Sequence, residues 1–421
     1  MERRRIAVVG GGVSGLTAAY VLQRGGCEVS LYEADDRLGG HAHTHETTSA
    51  DGRVVRVDSG FIVHNERTYP LLLRLFRELG VATQDSEMSM SVRCEGCGLE
   101  YAGARGPAGL FAQPRSALRG RYLRMLTEVR AFHRAARTAL AAERGDRLTL
   151  GAFLDECGFS RYFVTHFVTP LVSAVWSCAP TTAMEYPAVY LFRFLAHHGL
   201  LSVSGSPQWK TVTGGSVEYV GRVAKQLTAV RTGTPVRAVR RGGGRAGIVT
   251  EDGTEHAHDA VVVAVHPDQA LRMLADPTDD ERRVLGAFSY SRNTTLLHRD
   301  TSLLPRARGA RASWNYLMAS CTTPADKVQV TYDMNRLQRL DTPEHHLVTL
   351  NATDRVAPDR VLARMVYEHP LYTPEAVAAQ QGLPHLNTAV TAFAGAYHGW
   401  GFHEDGCRSG VQAAAALGVR W

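Results

Sequence analysis

Lysine is nearly absent from this chain: Lys210, Lys225 and Lys327 are the only three among 47 basic residues. No run of cations interleaves with aromatic residues, and the net charge is +6 over 421 residues. A nucleic-acid surface is therefore not expected, because phosphate backbones are held by clustered positive charge. The mild positive balance suits an anionic substrate or an anionic membrane surface and points to neither. No stretch approaches the ~20 apolar residues of a membrane span. The charged start Met1-Glu2-Arg3-Arg4-Arg5 looks like the head of a signal peptide, but the apolar run behind it, Ile6 to Val9, stops at a glycine loop and gives no signal core. A cytoplasmic protein is expected, with peripheral membrane contact left open. Its seven cysteines are then reduced. No internal repeat or low-complexity segment stands out. What is present is a chain of 44% hydrophobic residues, long enough for two or three domains with real cores.

The segment Ile6-Ala7-Val8-Val9-Gly10-Gly11-Gly12-Val13-Ser14-Gly15 carries the most information. A short apolar strand meets a glycine loop, and the loop opens straight into a helix pattern. Gly10 permits the tight turn, Gly12 lets the backbone approach a pyrophosphate, and Gly15 lets the helix pack on the strand. The free amides and positive end of the helix beginning near Val13 then face the negative charge. Gly25-Gly26 breaks the chain, and a second strand from Glu28 to Tyr32 delivers Glu33, 23 positions after Gly10. A carboxylate at about that ~20-residue spacing accepts hydrogen bonds from ribose hydroxyls and repels a 2′-phosphate. FAD or NAD is expected, not NADP.

Further along, Asp51-Gly52-Arg53 reads as a hairpin turn, and Pro70 to Leu79 as a helix stopped by Gly80. Residues 86–103 read as a hairpin turning at Cys94-Glu95-Gly96-Cys97, and residues 115–204 as mainly helical. Tyr162 to Trp176 and Ala188 to Leu201 are notably apolar. A helix follows Gly214-Gly215-Ser216, Val236 lies on a strand, and Asp259 to Val265 is a near-continuous buried strand of the kind found in parallel sheets. Residues 285–352 alternate like antiparallel strands. Ala392 to Ala396 is a strand feeding a glycine-rich loop, followed by a helix from about Asp405 to Leu417.

These pieces, in this order, resemble the FAD-dependent amine oxidase superfamily, which includes monoamine oxidases, protoporphyrinogen oxidase and phytoene desaturases. The resemblance rests on the glycine loop, Glu33, Arg37-Leu38-Gly39-Gly40, the Val236 strand, the Val261–Val265 strand and Phe393-Ala394-Gly395 with Glu404-Asp405-Gly406. Gly39-Gly40-His41, Asp58-Ser59-Gly60-Phe61 and Gly399-Trp400-Gly401-Phe402-His403 further resemble a bacterial branch described as predicted NAD/FAD-binding oxidoreductases, whose members often appear beside methyltransferases like cyclopropane-fatty-acid synthase. The fold implied is α/β: a Rossmann-like FAD-binding domain assembled from residues 1–80, 205–275 and 390–421, and an α+β substrate domain from 81–204 and 276–389. The resemblance implies that Gly10, Gly12, Val13, Ser14 and Gly15 bind the pyrophosphate and that Glu33, with Ala34, binds the adenosine ribose. It implies that Arg37, Gly39, Gly40 and His41 touch the cofactor, that Asp58, Ser59, Gly60 and Phe61 lie along the flavin, and that Val236 contacts adenine. Gly395, Ala396, Glu404 and Asp405 complete the site, with Asp405 opening the last helix toward the flavin N1–C2=O edge. Ala396 stands where the family often has an acid or Thr. The strand Thr294 to His298 lacks the Lys common in amine oxidases, and His403 stands where an aromatic often lies beside the flavin.

His403 is the first candidate for proton transfer, because a His titrating near neutrality can move a proton while a hydride leaves. The alternative is a structural hydrogen bond, and the same two readings apply to His64 and Asn65. His41, His43 and His45 would share one face of a strand; cofactor contact is expected for His41, surface or packing roles for the others, and no metal. Cys94 and Cys97 have zinc-knuckle spacing, but no second Cys pair follows, so they read first as loop cysteines, with a metal site or a redox disulfide as the alternatives. His197-His198 and His345-His346 read as solvent or cap residues. The two apolar segments read as core helices or as the lining of a hydrophobic tunnel, with Trp209-Lys210-Thr211 closing it. The implied activity is hydride removal from a C–H bond of an apolar substrate: dehydrogenation of an unsaturated or methyl-branched acyl chain or similar lipid. Double-bond isomerisation, amine oxidation and a non-catalytic flavin-binding role are the alternatives.

Overall fold

The computed structural model describes residues 3–142, 148–202 and 205–421. Residues 143–147 and 203–204 of the expected helical region, and Met1 and Glu2, lie outside the described residues. Five strands form a parallel sheet in the order Ala229–Arg231, Glu28–Tyr32, Arg5–Val9, Ala260–Val263 and Thr391–Phe393. The central strands are apolar on both faces because both faces are covered. Ile6 and Val8 pack with Leu16 and Val262 on one side, while Ala7 and Val9 pack with Val239, Ile248 and Val263 on the other. The first side carries the helix Val13–Arg24 and the helix His403–Ala416, and the second carries an antiparallel ribbon of Val236–Gly242, Arg245–Thr250 and Glu255–His258. The parallel sheet thus collects strands from the start, the middle and the end of the chain.

A seven-stranded sheet forms the second body, in the order Val361–Leu371, Ser289–His298, Leu347–Leu350, Val330–Asp333, Trp314–Met318, Met90–Cys94 and Glu100–Ala102. Its members between 289 and 350 pair antiparallel, as their alternation indicates. Trp314–Met318 departs from this by also pairing in parallel with Met90–Cys94. Such a pair needs a long crossover, and 224 positions separate Ser91 from Asn315, whose side chains bond at 2.9 Å across it. Helices Gly120–Ala141, Leu150–Glu156 and Ala188–His197 cover this sheet, together with a helical run from Arg161 to Trp176 that is interrupted by a π turn at Val164–Val168. The helix Pro70–Leu79 ends at Gly80 in the left-handed region, φ +68°. No helix among the described residues is long and apolar enough to cross a membrane.

Candidate active site

The three glycines of the first loop meet three different constraints. Gly10 has φ +102°, and a Cβ there would lie 2.4 Å from the Ala264 carbonyl oxygen. A Cβ on Gly15 would lie 1.9 Å from the Gly10 carbonyl oxygen. A Cβ on Gly12 would meet nothing within 4 Å. The helix Val13–Arg24 starts at that open space, and no side chain caps it, so its first-turn amides are available to an anion. Glu33 reaches the loop: its Oε2 accepts from Gly11 N at 2.6 Å and its Oε1 from Asp35 N at 2.9 Å, next to the exposed Ala34. Thr234 N donates to the Glu33 carbonyl at 2.8 Å, which sets the start of the Val236 strand beside this carboxylate.

Gly39 N donates to the Gly11 carbonyl at 2.8 Å, so the glycine pair Gly39-Gly40 lies against the loop. Arg37 folds onto this turn, its Nη2 donating to the Gly40 carbonyl at 2.9 Å. His41 N-terminal to the next strand accepts Phe61 N on its carbonyl at 2.7 Å, and a Cβ on Gly60 would lie 2.2 Å from that same oxygen. The strand begins only at Thr44, yet the His43 and His45 rings lie 3.9 Å apart on one side of it. The His41 ring stacks on His369 at 5.2 Å and meets Tyr367 edge-on at 4.9 Å. His43 bonds Tyr367 Oη at 3.1 Å, and His45 bonds Ser59 Oγ at 2.9 Å. Ser59 Oγ and Tyr367 Oη are 2.6 Å apart.

The C-terminal helix corrects several expectations. It begins at His403, not Asp405. Asp405 sits in its first turn, and its Oδ2 accepts Phe402 N at 3.0 Å, which caps the end; its Oδ1 holds Arg408. Glu404 caps a different helix, taking Leu71 N at 3.1 Å and Leu72 N at 3.0 Å at the start of Pro70–Leu79. Its carboxylate is spent there. Gly395 N donates to Ser409 Oγ at 2.9 Å, and the Ala396 carbonyl takes Gly399 N and Gly401 N, which folds the loop between strand and helix. His403 stacks on Phe61 at 3.6 Å and bonds Tyr219 Oη at 3.2 Å. Burial and the neighbouring His64 push it down to about 3, so it stays neutral through physiological pH and does not titrate near 7 as the sequence reading supposed. Asn65 is also structural: its Oδ1 accepts Arg67 N and Thr68 N, and its Nδ2 donates to Thr68 Oγ1. His64 is held neutral by burial, near 4, but both its ring nitrogens are buried without a partner. His198 and His346 are buried rather than exposed; His198 Nδ1 bonds the Phe194 carbonyl at 3.0 Å and His346 Nε2 bonds Thr47 Oγ1 at 3.1 Å.

Asp58 is fully enclosed. It accepts Thr44 Oγ1 at 2.6 Å, Ser216 Oγ at 2.7 Å, Ser216 N at 3.0 Å and Gln338 Nε2 at 3.0 Å. Ser216 precedes the helix Val217–Ala224, and Gln338 comes from the far body, so one carboxylate ties four segments. Burial pushes Asp58 up to about 6, against the opposing pull of Thr44 and Ser216. An acid whose folded pKa exceeds its unfolded ~3.9 holds its proton more tightly when folded. Its contribution is complete below the unfolded value and is lost as pH rises through about 6. The stability difference between wild type and Asp58→Asn, from urea midpoints, is therefore expected to fall by up to about 3 kcal/mol between about pH 4 and about pH 6.5. A difference that does not vary with pH contradicts this placement.

The loop before the C-terminal helix also meets the apolar helices. Phe402 stacks on Phe194 at 4.8 Å, Trp176 lies 4.7 Å from Phe194, and Trp176 Nε1 donates to the Trp400 carbonyl at 3.1 Å. Tyr367, His369 and Tyr219 left no signal, because each reaches the site from a distant segment. Lys210 is engaged with Glu66 at 3.3 Å and Asp85 at 3.6 Å.

A family model described as flavin-containing amine oxidoreductase matches residues 13–298. The chain belongs to this family. It is 32% identical to carotenoid phi-ring synthase of Streptomyces griseus over 287 residues, 64% of this chain and 54% of that protein. It is 25% identical to (S)-6-hydroxynicotine oxidase of Paenarthrobacter nicotinovorans over 289 residues, 66% and 63% of the two chains. The matches thus span between half and two thirds of these relatives' lengths. Among solved structures, cyclohexylamine oxidase from Brevibacterium oxydans IH-35A covers 99% of both chains with a TM-score of 0.70 at 16% identity, a likeness of fold. The residues present fit FAD: the space in front of Gly12, the uncapped helix beside it and the Glu33 carboxylate are a cradle for a dinucleotide.

Proposed function

We propose that the enzyme removes a hydride from a C–H bond of an apolar, lipid-like substrate, most simply by dehydrogenating an unsaturated or methyl-branched acyl chain. The observation that carries this reading is the uncharged aromatic wall of Trp176, Phe194, Trp400 and Phe402 beside the first turn of the C-terminal helix. FAD supplies hydride acceptance at its N5 when bound. Gly10, Gly12, Val13, Ser14 and Gly15 bind the pyrophosphate through backbone amides, Glu33 and Ala34 border the ribose, and Val236 borders adenine. Arg37, Gly39, Gly40, His41 and the stretch Ser59 to Phe61 flank the flavin, with Gly395 and Ala396. The helix beginning at His403 directs its positive end to the ring edge that gains charge. Asp58, Glu404 and Asp405 position these elements, as their carboxylates are occupied. Of the three side chains considered for proton transfer, His64 has both ring nitrogens buried without a partner and His403 is bonded through Nε2 alone, whereas the Asn65 amide is occupied by Arg67 and Thr68. We divide the chain into an FAD-binding domain of 1–80, 205–275 and 390–421 and a substrate domain of 81–204 and 276–389.

The name of the carotenoid phi-ring synthase supports an extended apolar substrate. The hydroxynicotine and cyclohexylamine oxidases favour a second reading, oxidation of an amine whose carbon skeleton fits the same wall. Mass spectrometry separates them. Incubated in air with a panel of unsaturated and methyl-branched fatty acids, the enzyme is expected to yield a product two hydrogens lighter. A product of unchanged mass with a displaced double bond means isomerisation. Aldehyde and ammonia from amines, with every acyl chain untouched, overturns the lipid reading.

A further inference from the structure

Cys94 and Cys97 bracket the turn between the strands Met90–Cys94 and Glu100–Ala102. Two backbone bonds of 2.8 Å shape that turn, Cys94 N to the Leu99 carbonyl and Glu95 N to the Met318 carbonyl. The second draws in the segment that follows the strand Trp314–Met318, which carries Cys321. Gly96 makes room for it: a Cβ there would lie 3.1 Å from Cys321 N and 3.5 Å from Cys321 Sγ. A third element brings His166, which sits in the π turn Val164–Val168. Such turns are rare and concentrate at functional positions. His166 Nδ1 lies 3.1 Å from the Tyr162 carbonyl. A proton on that nitrogen is held by the carbonyl, which leaves the Nε2 lone pair directed at Cys97 Sγ, 3.5 Å away. Tyr101 Oη donates to the His166 carbonyl at 2.7 Å and fixes the turn itself. The four side-chain ligand atoms of Cys94, Cys97, His166 and Cys321 all lie within 4.8 Å of one another.

We propose that Cys94, Cys97, His166 and Cys321 bind one zinc ion in a closed structural site. Three thiolates and one imidazole form a donor set that zinc takes tetrahedrally, with no position left for catalysis. Zn–S bonds of about 2.3 Å and a Zn–N bond of about 2.0 Å make a tetrahedron with edges of about 3.5–3.8 Å. The Cys97–His166 separation already matches, and small side-chain rotations close the rest. The Tyr162 carbonyl acts as the outer partner that orients a ligating histidine. Cys94 and His166 are buried, while Cys97 and Cys321 are half-buried, which leaves the ion a path in. The ion would join a hairpin, a strand end and the helical run that carries Trp176. It would therefore pin the far end of the aromatic wall to the sheet. This departs from the reading of Cys94 and Cys97 as loop cysteines. The remaining ligands lie 69 and 224 positions beyond Cys97, at His166 and Cys321, a spacing no compact zinc motif has.

The full-length protein, purified without chelators and with any affinity tag removed, is expected to carry about one zinc per chain by plasma mass spectrometry. Cys321→Ser and His166→Ala should lose it, and Cys27→Ser should keep it. If the ligand variants fail to fold, the wild type decides by itself: removal of zinc and addition of cobalt(II) should give the thiolate-to-cobalt charge-transfer band and the visible bands of a tetrahedral ion. A metal-free protein with Cys94 and Cys97 joined in a disulfide overturns the proposal. So does a reduced protein that shows no such bands with cobalt, and so does iron in place of zinc.

Discussion

Gly12→Asp is expected to fold normally and to emerge from purification without its yellow colour. A Cβ at Gly12 meets nothing within 4 Å in the protein itself, so the substitution starts into open space. Gly12 precedes the helix Val13–Arg24 in an extended conformation, φ −74° and ψ 179°, which any residue adopts. Asp is moreover a favourable residue just before a helix, since its carboxylate can take a first-turn amide. The fold should therefore be as stable as the wild type, or slightly more so. The cofactor suffers twice. The carboxylate fills the approach to the pyrophosphate, and it sets a negative charge against a negative ligand where the amides and the helix dipole attract one. Affinity for FAD should fall at least about a hundredfold, a loss of about 2.7 kcal/mol. Thermal unfolding and FAD fluorescence titration read the two effects separately. Gly15→Val makes the contrast, because its Cβ would stand 1.9 Å from the Gly10 carbonyl oxygen and the loss there should begin with folding. A Gly12→Asp protein that binds FAD normally would remove this loop from the cofactor site.

Phe402→Ala is expected to keep its FAD and its fold while losing turnover of the apolar substrate. Phe402 is half-buried and stacks on Phe194 at 4.8 Å. The bond that caps the C-terminal helix runs from its backbone N–H to Asp405, so it survives loss of the ring. Removing an aromatic side chain from contact with an apolar ligand forfeits about 1.5–3 kcal/mol, which is roughly 10- to 100-fold in kcat/KM. The loss should appear mainly in KM if the ring only binds, and in kcat as well if it holds the reacting carbon in line. Unchanged kinetics would place the substrate elsewhere.

Much of this site was legible because its signals are local. Gly10, Gly12 and Gly15 each answer a constraint that glycine alone meets or that open space requires, and the strand before them is apolar because it is covered on both faces. The helix Pro70–Leu79 was readable from Pro70 at its start and Gly80 at its end. The polar wiring was not legible, for a physical reason. Asp58 looked like a flavin contact but is enclosed by Thr44, Ser216 and Gln338, partners up to 280 positions away. Glu404 looked like part of the cofactor edge but caps the helix of Leu71 and Leu72, more than 330 positions earlier. His403 looked like a proton carrier because its ordinary pKa suits one, and only its burial against Phe61 and Tyr219 shows that it stays neutral. Sequence spacing carries no information about such long-range burial.

The account is tested most directly by an anaerobic spectral titration of the purified flavoprotein. Addition of an unsaturated or methyl-branched acyl substrate is expected to bleach the oxidised-flavin absorbance, while aliphatic and aromatic amines leave it unchanged. Bleaching by an amine and by no lipid would contradict the proposed chemistry.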